Sequence, residues 1–177
     1  PDTSNVEFQT SKGRFTVQAV PAWAPLGADR FYTLATNGFY DDNKFFRVLP
    51  DFVVQFGING APAVTEVWNT RTISDDPVTQ SNLEGYVTFA MGGPNTRTTQ
   101  VFINTRDNSR LDAMGFAPFG RVTSGMNVVH MLYGGYGEGP PAGIGPSQDM
   151  IATEGNRYLN RFYPRLDSIA RASVVQD

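Results

Sequence analysis

Apolar and polar side chains alternate along many short stretches of the chain, and turn-forming residues separate these stretches. A period of two residues is typical of β-strands, because successive side chains point to opposite faces of a sheet. Ser11–Gly13 predicts a hairpin turn between the first two stretches, and Pro50-Asp51 predicts either a bent strand pair or one strand with a bulge. The predicted strands are Val6–Phe8, Arg14–Val20, Phe45–Leu49, Phe52–Phe56, Tyr86–Ala90, Gln100–Asn104, Phe116–Val122 and Ile169–Val175.

Three other segments carry apolar side chains at the spacing of a helix. One helix is predicted from Pro25, which favours a first helical turn, to Asn37-Gly38, which favours a helix end. Residues 125–133 and 154–162 predict two shorter helices. Short strands that outnumber the helices predict a mainly β fold, a barrel or sandwich of antiparallel strands with helices at its ends.

Two long segments have no sustained periodic pattern. Residues 57–82 are rich in Gly, Pro, Asn and Asp, and residues 133–146 hold a dense run of glycine and proline, so both are predicted to be irregular surface loops. The second atypical region extends to residue 165 around its one predicted helix. No repeat, low-complexity tract or linker divides the chain, which predicts one domain over residues 1–177.

The composition fits a packed domain and excludes several classes of partner. The 177 residues are 40% hydrophobic and 12% aromatic, which is ample for a core. The 14 basic and 17 acidic side chains give a formal net charge of −3, so no overall positive field attracts nucleic acid or anionic lipid. The longest apolar runs are far shorter than the ~20 residues of a membrane-spanning helix. We therefore expect no nucleic-acid partner and no membrane span.

Few residue types are available for catalysis by a nucleophile or a metal. The chain has no cysteine and a single histidine, His130, which we interpret as a helix-surface residue. Thiol catalysis and cysteine-ligated metal sites are thereby excluded, and we predict no metal and no cofactor. Gly137–Ala142 matches the dinucleotide pattern GxGxxA, but two prolines stand where a helix must begin, so we interpret it as a plain glycine-rich loop. The acid pair Asp75-Asp76 is interpreted as solvated turn residues.

The start of the chain bears on its location. Pro1 stands where an initiator methionine would be, which indicates processing or trimming, and no apolar leader precedes the first strand. Neither observation identifies a compartment, and export, to the periplasm or outside the cell, is favoured over a cytoplasmic location.

The stretch from residue 45 to residue 57 combines polar and aromatic side chains. Strand parity places Arg47, Val53 and Gln55 on one face if the proline turn adds no bulge. Phe52 has the opposite parity and reaches that face only if the chain bends there. A partly buried arginine among core aromatic residues is the alternative interpretation.

A second stretch has the same character. Gln100 and Phe102 lie two residues apart, so they share one face of a strand. The preceding loop, Met91–Thr99, contains Gly92-Gly93, which lets the backbone approach a ligand closely. Together the two stretches predict a groove that contains an arginine, two glutamines and aromatic walls.

These stretches belong to four long motifs. They are Phe45-x-Arg47-Val48-x-Pro50-x-Phe52-x-x-Gln55-x-Gly57, Gly93-Pro94-Asn95-Thr96, Thr99-Gln100-x-Phe102-Ile103 and Phe119-Gly120-Arg121-Val122-x-x-Gly125-Met126. With them the chain resembles the cyclophilin family of peptidyl-prolyl cis–trans isomerases, in a divergent, single-domain, bacterial-like form. The similarity spans about residues 6–132, and the last predicted strand fits as well. The resemblance implies a closed eight-stranded antiparallel β-barrel capped by two α-helices, with a peptide groove on its outer face.

The resemblance also implies roles for individual residues. Arg47 is similar to the family's catalytic arginine, and Gln55 and Phe102 complete the implied catalytic set. The implied substrate-binding residues are Phe52, Val53, Ala90, Met91, Gln100, Arg110, Leu111, Phe116 and Phe119. Among these, Gln100 is similar to a glutamine that, with the one at position 55, holds the substrate backbone and orients the arginine.

Four positions depart from the family's usual pattern. Met91 stands where asparagine is usual, and Val53 where methionine is common, which shortens one wall of the pocket. Arg110 stands where many members carry tryptophan, and Phe116 falls near a usual histidine or tyrosine. We expect the last two changes to weaken cyclosporin binding and to lower peak activity.

Three functions are consistent with the sequence. The leading prediction is a monomeric isomerase of X–Pro bonds that acts on proline-containing peptides and on unfolded or flexible protein segments, assisting their folding. The alternative is a non-catalytic proline-peptide-binding module that serves as a chaperone or an assembly subunit. A third possibility is an unrelated β-barrel that binds a small molecule and has no affinity for proline peptides.

Overall fold

A computed structural model describes residues 2–175 and contains an eight-stranded antiparallel sheet. The strands are β1 (Ser4–Thr10), β2 (Gly13–Ala19), β3 (Arg47–Leu49), β4 (Val53–Phe56), β5 (Tyr86–Phe89), β6 (Val101–Asn104), β7 (Pro118–Ser124) and β8 (Ile169–Val175). Their order across the sheet is β3-β4-β6-β5-β7-β2-β1-β8. The predicted mainly β, antiparallel fold is therefore confirmed, and Pro50-Asp51 is the turn of a strand pair rather than a bulge.

Five α-helices and one 3-10 helix accompany the sheet within residues 2–175. They are α1 (Pro25–Thr36), α2 (Pro62–Trp68), the 3-10 helix Ser109–Met114, α3 (Met126–Met131), α4 (Gln148–Glu154) and α5 (Asn156–Phe162). Helices α1 and α3 bury side chains in the core of the sheet, as predicted. The prediction of loops over residues 57–82 and 133–146 missed α2, and α4 also went unpredicted, because seven residues are too few to establish a helical period.

No helix among the described residues is both long enough and apolar enough to cross a membrane.

The prediction of a closed barrel is wrong, because the sheet is open between its edge strands β3 and β8. The two edges meet instead through residues 42–45, which precede β3: the Phe45 amide donates to the Asp167 carbonyl at 3.0 Å, and Lys44 forms an isolated bridge with Ser168. Strand β3 has only three residues, so it offers too few backbone groups for a continuous ladder. The fold is an open half-barrel with a short seam.

Aromatic side chains fill the concave side of the sheet. Phe8 and Phe15 are partners in the β1–β2 register, and their rings stack with centroids 4.9 Å apart. Phe31 of α1 packs against the sheet, with its ring centroid 4.9 Å from that of Phe119. Val54 of β4 points into this core, so its neighbours Val53 and Gln55 point to the opposite, outer face.

Asp76 is buried, and its interpretation as a solvated turn residue is wrong. Its carboxylate accepts hydrogen bonds from the Leu26 and Gly27 amides at 3.1 and 2.9 Å, at the first turn of α1. Ala24, at the N-cap position, has no side-chain acceptor, so Asp76 supplies it from a distant part of the chain. The carboxylate also pairs with Arg97 at 3.0 Å, with side-chain exposures of 2% and 4%.

Asp167 joins three parts of the chain at the seam. Its carboxylate accepts from the Lys12 ammonium at 2.8 Å, from the Ser11 hydroxyl at 2.6 Å and from the Tyr133 amide at 2.7 Å. Burial alone would raise the pKa of Asp167, but these hydrogen bonds together lower it below its usual range. A lowered pKa means that folding favours the ionised carboxylate.

We expect Asp167→Asn to lower the free energy of unfolding at neutral pH by about 1–2 kcal/mol, because charge-assisted hydrogen bonds are lost. The contribution of a carboxylate with a lowered pKa is present above its unfolded pKa and is lost as the pH falls through its folded pKa. Urea denaturation of both proteins from neutral to acidic pH should therefore show a difference that shrinks in acid. A difference that stays constant across this range would contradict the role of the charge.

Candidate active site

Three strands place polar and aromatic side chains in one row on the outer face. Arg47 on β3 is the register partner of Gln55 on β4, and Gln55 is the partner of Phe102 on β6. Side chains of register partners lie on the same face of a sheet. The structure therefore brings together the three residues predicted as catalytic.

The Arg47 guanidinium is held by a chain of side-chain amides. Its Nη1 donates to Gln55 Oε1 at 2.9 Å, and Gln55 Nε2 donates to Gln100 Oε1 at 2.8 Å. Gln55 is only 4% exposed, so its amide has little freedom to turn away. These two hydrogen bonds fix the edge of the guanidinium that faces β4.

Glu138 holds the other side of the same guanidinium. Arg47 Nε donates to Oε1 of Glu138 at 2.9 Å, and Arg47 Nη2 donates to Oε2 at 2.7 Å. The hydrogen bonds from Arg47 hold the pKa of Glu138 below its usual range, against an opposing effect of burial, and the Gly139 amide adds to the lowering. The Glu138 carboxylate is thus ionised at neutral pH and forms a bidentate ion pair with Arg47.

An apolar pocket lies beside the guanidinium. Val53, Phe102 and Leu111 form its buried floor, and four partly buried apolar residues pack around them: Leu49, Phe52, Ala90 and Phe116. The cavity has a volume of about 280 Å³, and Arg47, Met91, Met114 and Gln148 also line it. This pocket joins a charged donor to an apolar recess that suits a ring of proline size.

Two buried side-chain amides and a partly buried carboxylate support the pocket walls. The Asn108 side chain donates to the Phe52 carbonyl at 2.9 Å, and the Asn82 side chain donates to the Phe116 carbonyl at 3.0 Å. Asn82 also donates to Asp112 at 2.8 Å, which ties it to the 3-10 helix that carries Leu111. Asn104 links the two contacts, because its Oδ1 accepts from Asn108 at 2.9 Å and its Nδ2 donates to Asn82 Oδ1 at 3.2 Å, so the turn at Phe52 and the wall at Phe116 belong to one network.

Three of the predicted substrate-binding residues do not line the pocket, and one of them, Gln100, is joined to the site through its hydrogen bond with Gln55. Phe119 is fully buried on the other side of the sheet, in the core between Phe31 and Phe89, so its predicted place in the pocket wall is wrong. Side chains along β7 alternate between the two faces of the sheet, and the position of Phe119 faces the core. Arg110 is exposed, and its guanidinium lies over the Phe52 ring at 5.1 Å, at the rim of the pocket.

The sequence analysis missed Glu138 and the supporting residues Asn82 and Asn108. Glu138 lies 91 residues after Arg47, in the segment interpreted as a plain glycine-rich loop. A lone acidic residue between glycines is the one signal that could have marked it. Asn82 and Asn108 lie in loops, where asparagine is common for local reasons, so no pattern distinguishes them.

The fold and the site together define a class of protein. An eight-stranded half-barrel bears on its outer face an apolar pocket next to a fixed guanidinium. Such a site holds an apolar ring and offers hydrogen-bond donors to the atoms beside it. These are the features of a non-covalent catalyst that acts on a peptide segment.

Comparisons with known proteins agree with this class. The family model of the cyclophilin type peptidyl-prolyl cis-trans isomerase/CLD matches residues 5–143. Peptidyl-prolyl cis-trans isomerase ppi1 of Schizosaccharomyces pombe is 39% identical over 135 residues, which cover 73% of this chain and 84% of that protein. Peptidyl-prolyl cis-trans isomerase cyp18 of Streptomyces antibioticus is 33% identical over 141 residues, or 74% and 84% of the two chains.

A solved structure shows the same fold over the full length. The Cryptosporidium parvum cyclophilin type peptidyl-prolyl cis-trans isomerase cgd2_1660 superposes with a TM-score of 0.72 and 17% identity, covering 99% of both chains. The chain therefore belongs to the cyclophilin-type peptidyl-prolyl cis–trans isomerase family. The predicted isomerase function is confirmed, and the non-catalytic alternative is not favoured.

Proposed function

We propose that Arg47 is the catalytic group and that the pocket beside it holds the proline ring of the substrate. Rotation about a peptide bond faces a barrier of ~18–20 kcal/mol, because the nitrogen lone pair is delocalised into the carbonyl. The two isomers of an X–Pro bond are nearly equal in energy yet exchange over tens to hundreds of seconds. A catalyst of this exchange has to bind the twisted amide better than either planar isomer.

Arg47 meets this requirement through its remaining donors. Three of the five guanidinium N–H groups donate to Gln55 and Glu138, which leaves two without a partner among residues 2–175. As the amide twists, the lone pair localises on the prolyl nitrogen, and one of these N–H groups donates to it. Planar amide nitrogen is a poor acceptor, so the hydrogen bond favours the transition state selectively.

The apolar pocket supplies the fixed point for the rotation. Val53, Phe102 and Leu111 bury the proline ring, while Ala90 and Met91 border the peptide backbone at the pocket edge. Displacement of water from the cavity strengthens the contact with Arg47, because the local dielectric constant falls. The position of the guanidinium against the 280 Å³ cavity is the observation that carries the proposal.

The substrates proposed for this site are proline-containing peptides and unfolded or flexible protein segments, because an open groove accepts an extended chain. Arg110 at the rim stacks on Phe52 with a planar guanidinium, which supports the prediction of weakened cyclosporin binding. The monomeric state, the single domain and the exported location also remain predictions.

The test is NMR exchange spectroscopy on a short Ala-Pro peptide with catalytic amounts of the chain. We expect exchange cross-peaks between the cis and trans resonances, which are absent for the peptide alone on the same timescale. Shifts of Phe102 and Leu111 on titration with the peptide would locate it in the pocket. Peptide binding at the pocket without exchange cross-peaks would contradict the proposal and indicate a binding module.

A further inference from the structure

The ion pair between Arg47 and Glu138 adds a group to the site that the motifs do not contain. The guanidinium is gripped along two edges, by the Glu138 carboxylate through Nε and Nη2 and by Gln55 through Nη1. A planar group held along two edges cannot rotate about its long axis or slide along its own plane. Its two remaining N–H groups therefore keep one direction relative to the pocket.

The loop that carries Glu138 is itself tightly built. The Glu138 carbonyl accepts from the Gly145 amide at 2.8 Å, and Glu138 Oε1 accepts from the Gly139 amide at 2.9 Å. At Gly143, a Cβ atom would lie 2.2 Å from the Glu138 carbonyl oxygen, so only glycine fits where the chain passes back over Glu138. The glycine-rich sequence thus serves to fold the loop around one carboxylate.

Tyrosines from the last third of the chain anchor this loop. Tyr163 donates to the Ile144 carbonyl at 2.9 Å, and the Tyr136 ring lies between those of Tyr133 and Tyr163, at centroid distances of 5.2 and 5.0 Å. The Tyr136 hydroxyl accepts from the Arg165 amide at 3.0 Å. The sequence assigns no role to segment 133–165. In the structure, the tyrosines of this segment form a scaffold that holds the Glu138 loop in place.

The ion pair between Arg47 and Glu138 itself adds little to the stability of the fold. Arg47 and Glu138 retain 25% and 36% of their side-chain exposure, and ion pairs open to water add little to stability because solvent screens them. The contact instead fixes the position of the Arg47 guanidinium, because a bidentate carboxylate selects one rotamer of a long, flexible side chain.

We infer that Glu138 is a positioning residue of the isomerase site, held by the segment 133–165 so that the Arg47 guanidinium faces the pocket in a fixed orientation. This inference rests on the proposed catalytic role of Arg47. Before substrate binds, Glu138 restricts the guanidinium to the geometry that the twisted amide requires, which lowers the cost of forming that hydrogen bond in the transition state.

The test compares Glu138→Gln with wild type on an Ala-Pro peptide. The substituted glutamine keeps the size of the side chain but presents an amide –NH2 to a guanidinium donor, so the bidentate contact is lost. We expect kcat to fall about tenfold with KM nearly unchanged, since misplacement of a catalytic group costs up to ~100-fold and Gln55 still holds one edge. Glu138→Asp, which keeps the charge on a shorter arm, should restore part of the loss.

A spectroscopic signature separates positioning from a purely structural effect. In wild type, the Nε–H group of Arg47 should give a slowly exchanging resonance, because it is hydrogen-bonded to Glu138. In Glu138→Gln this resonance should broaden or shift, while the amide spectrum of the sheet is retained. Glu154→Gln is the matched control, since Glu154 also pairs with an arginine, Arg157, and neither of these two residues lines the pocket.

The outcomes distinguish the two proposals. Loss of kcat in both Arg47→Ala and Glu138→Gln, with Glu154→Gln at the wild-type level, supports the inference. Wild-type or increased kcat in Glu138→Gln, with Arg47→Ala inactive, overturns the role of Glu138 alone; an increase would show that the carboxylate competes with the substrate. An unaffected Arg47→Ala variant overturns both.

Discussion

Replacing Arg47 with alanine is expected to lower kcat/KM for an Ala-Pro peptide by about 10²–10³-fold, the loss typical of removing one preorganised donor from a developing charge. The side chain lies on the outer face, away from the aromatic core, so the free energy of unfolding should change little. Exchange spectroscopy and a urea melt of the same sample measure the two quantities. The expected result is a folded protein that still binds the peptide and isomerises it far more slowly than wild type.

Two further variants sharpen this prediction. Arg47→Lys keeps the charge but cannot donate to Gln55 and Glu138 at once from a planar group, so it should also lose most of its activity. Arg121→Ala removes an exposed arginine from β7 and should behave as wild type. If Arg47→Lys matched wild type, a point charge would suffice, and the argument from guanidinium geometry would fail.

Replacing Asp76 with asparagine is expected to cost about 3–5 kcal/mol of the free energy of unfolding, because it leaves the Arg97 charge buried without its counter-ion. Arg97 has few alternatives: its Nε and Nη1 have no hydrogen-bond partner among residues 2–175, and its Nη2 donates to the Ser74 carbonyl besides Asp76. The change also weakens the acceptor for the first amides of α1. Equilibrium urea denaturation, with the m-value checked for two-state behaviour, measures the loss.

Asp75 provides a matched control for this variant. It is the chain neighbour of Asp76, carries the same side chain and is exposed, where its carboxylate accepts from the Asn95 amide at 3.0 Å. Asp75→Asn keeps an oxygen for that hydrogen bond and should change stability by less than about 0.5 kcal/mol. Equal effects of the two variants would mean that the Asp76–Arg97 pair is open to water in solution.

The strands and the centre of the site could be predicted because their signals are local. Alternation of apolar and polar residues identifies a strand without reference to the rest of the chain. Once Arg47, Gln55 and Phe102 are placed on strands, parity and register bring them to one face. The motif around these residues added their roles, and the structure agrees with the predicted grouping.

The parts that failed depend on contacts between distant segments. The resemblance alone placed Phe119 in the pocket wall, and parity did not oppose it, because parity divides a strand into two faces without saying which face is inside. Asp76 resembles any acidic turn residue until Arg97, 21 residues later, packs against it. Glu138 is likewise defined only by its partner. Whether the sheet closes depends on the length of β3. The sequence does not define that length, because Pro50-Asp51 interrupts the apolar stretch in which β3 lies.

The pairing of β1 with β8 has a consequence for the order in which the molecule is completed. Asn5 is the register partner of Val175. The edge of β1 that pairs with β8 can therefore form its hydrogen bonds only after the residues between the two strands have been synthesised. Loop closure over such a separation is slow, since most of the chain entropy is lost before the contact forms. The β1–β2 hairpin pairs residues that are close in sequence and needs no distant segment, so β1 presents an open edge until β8 is available. The edge strand β8 is thus the last to join the sheet, and Arg47, the proposed catalytic residue, lies on the other edge strand, β3.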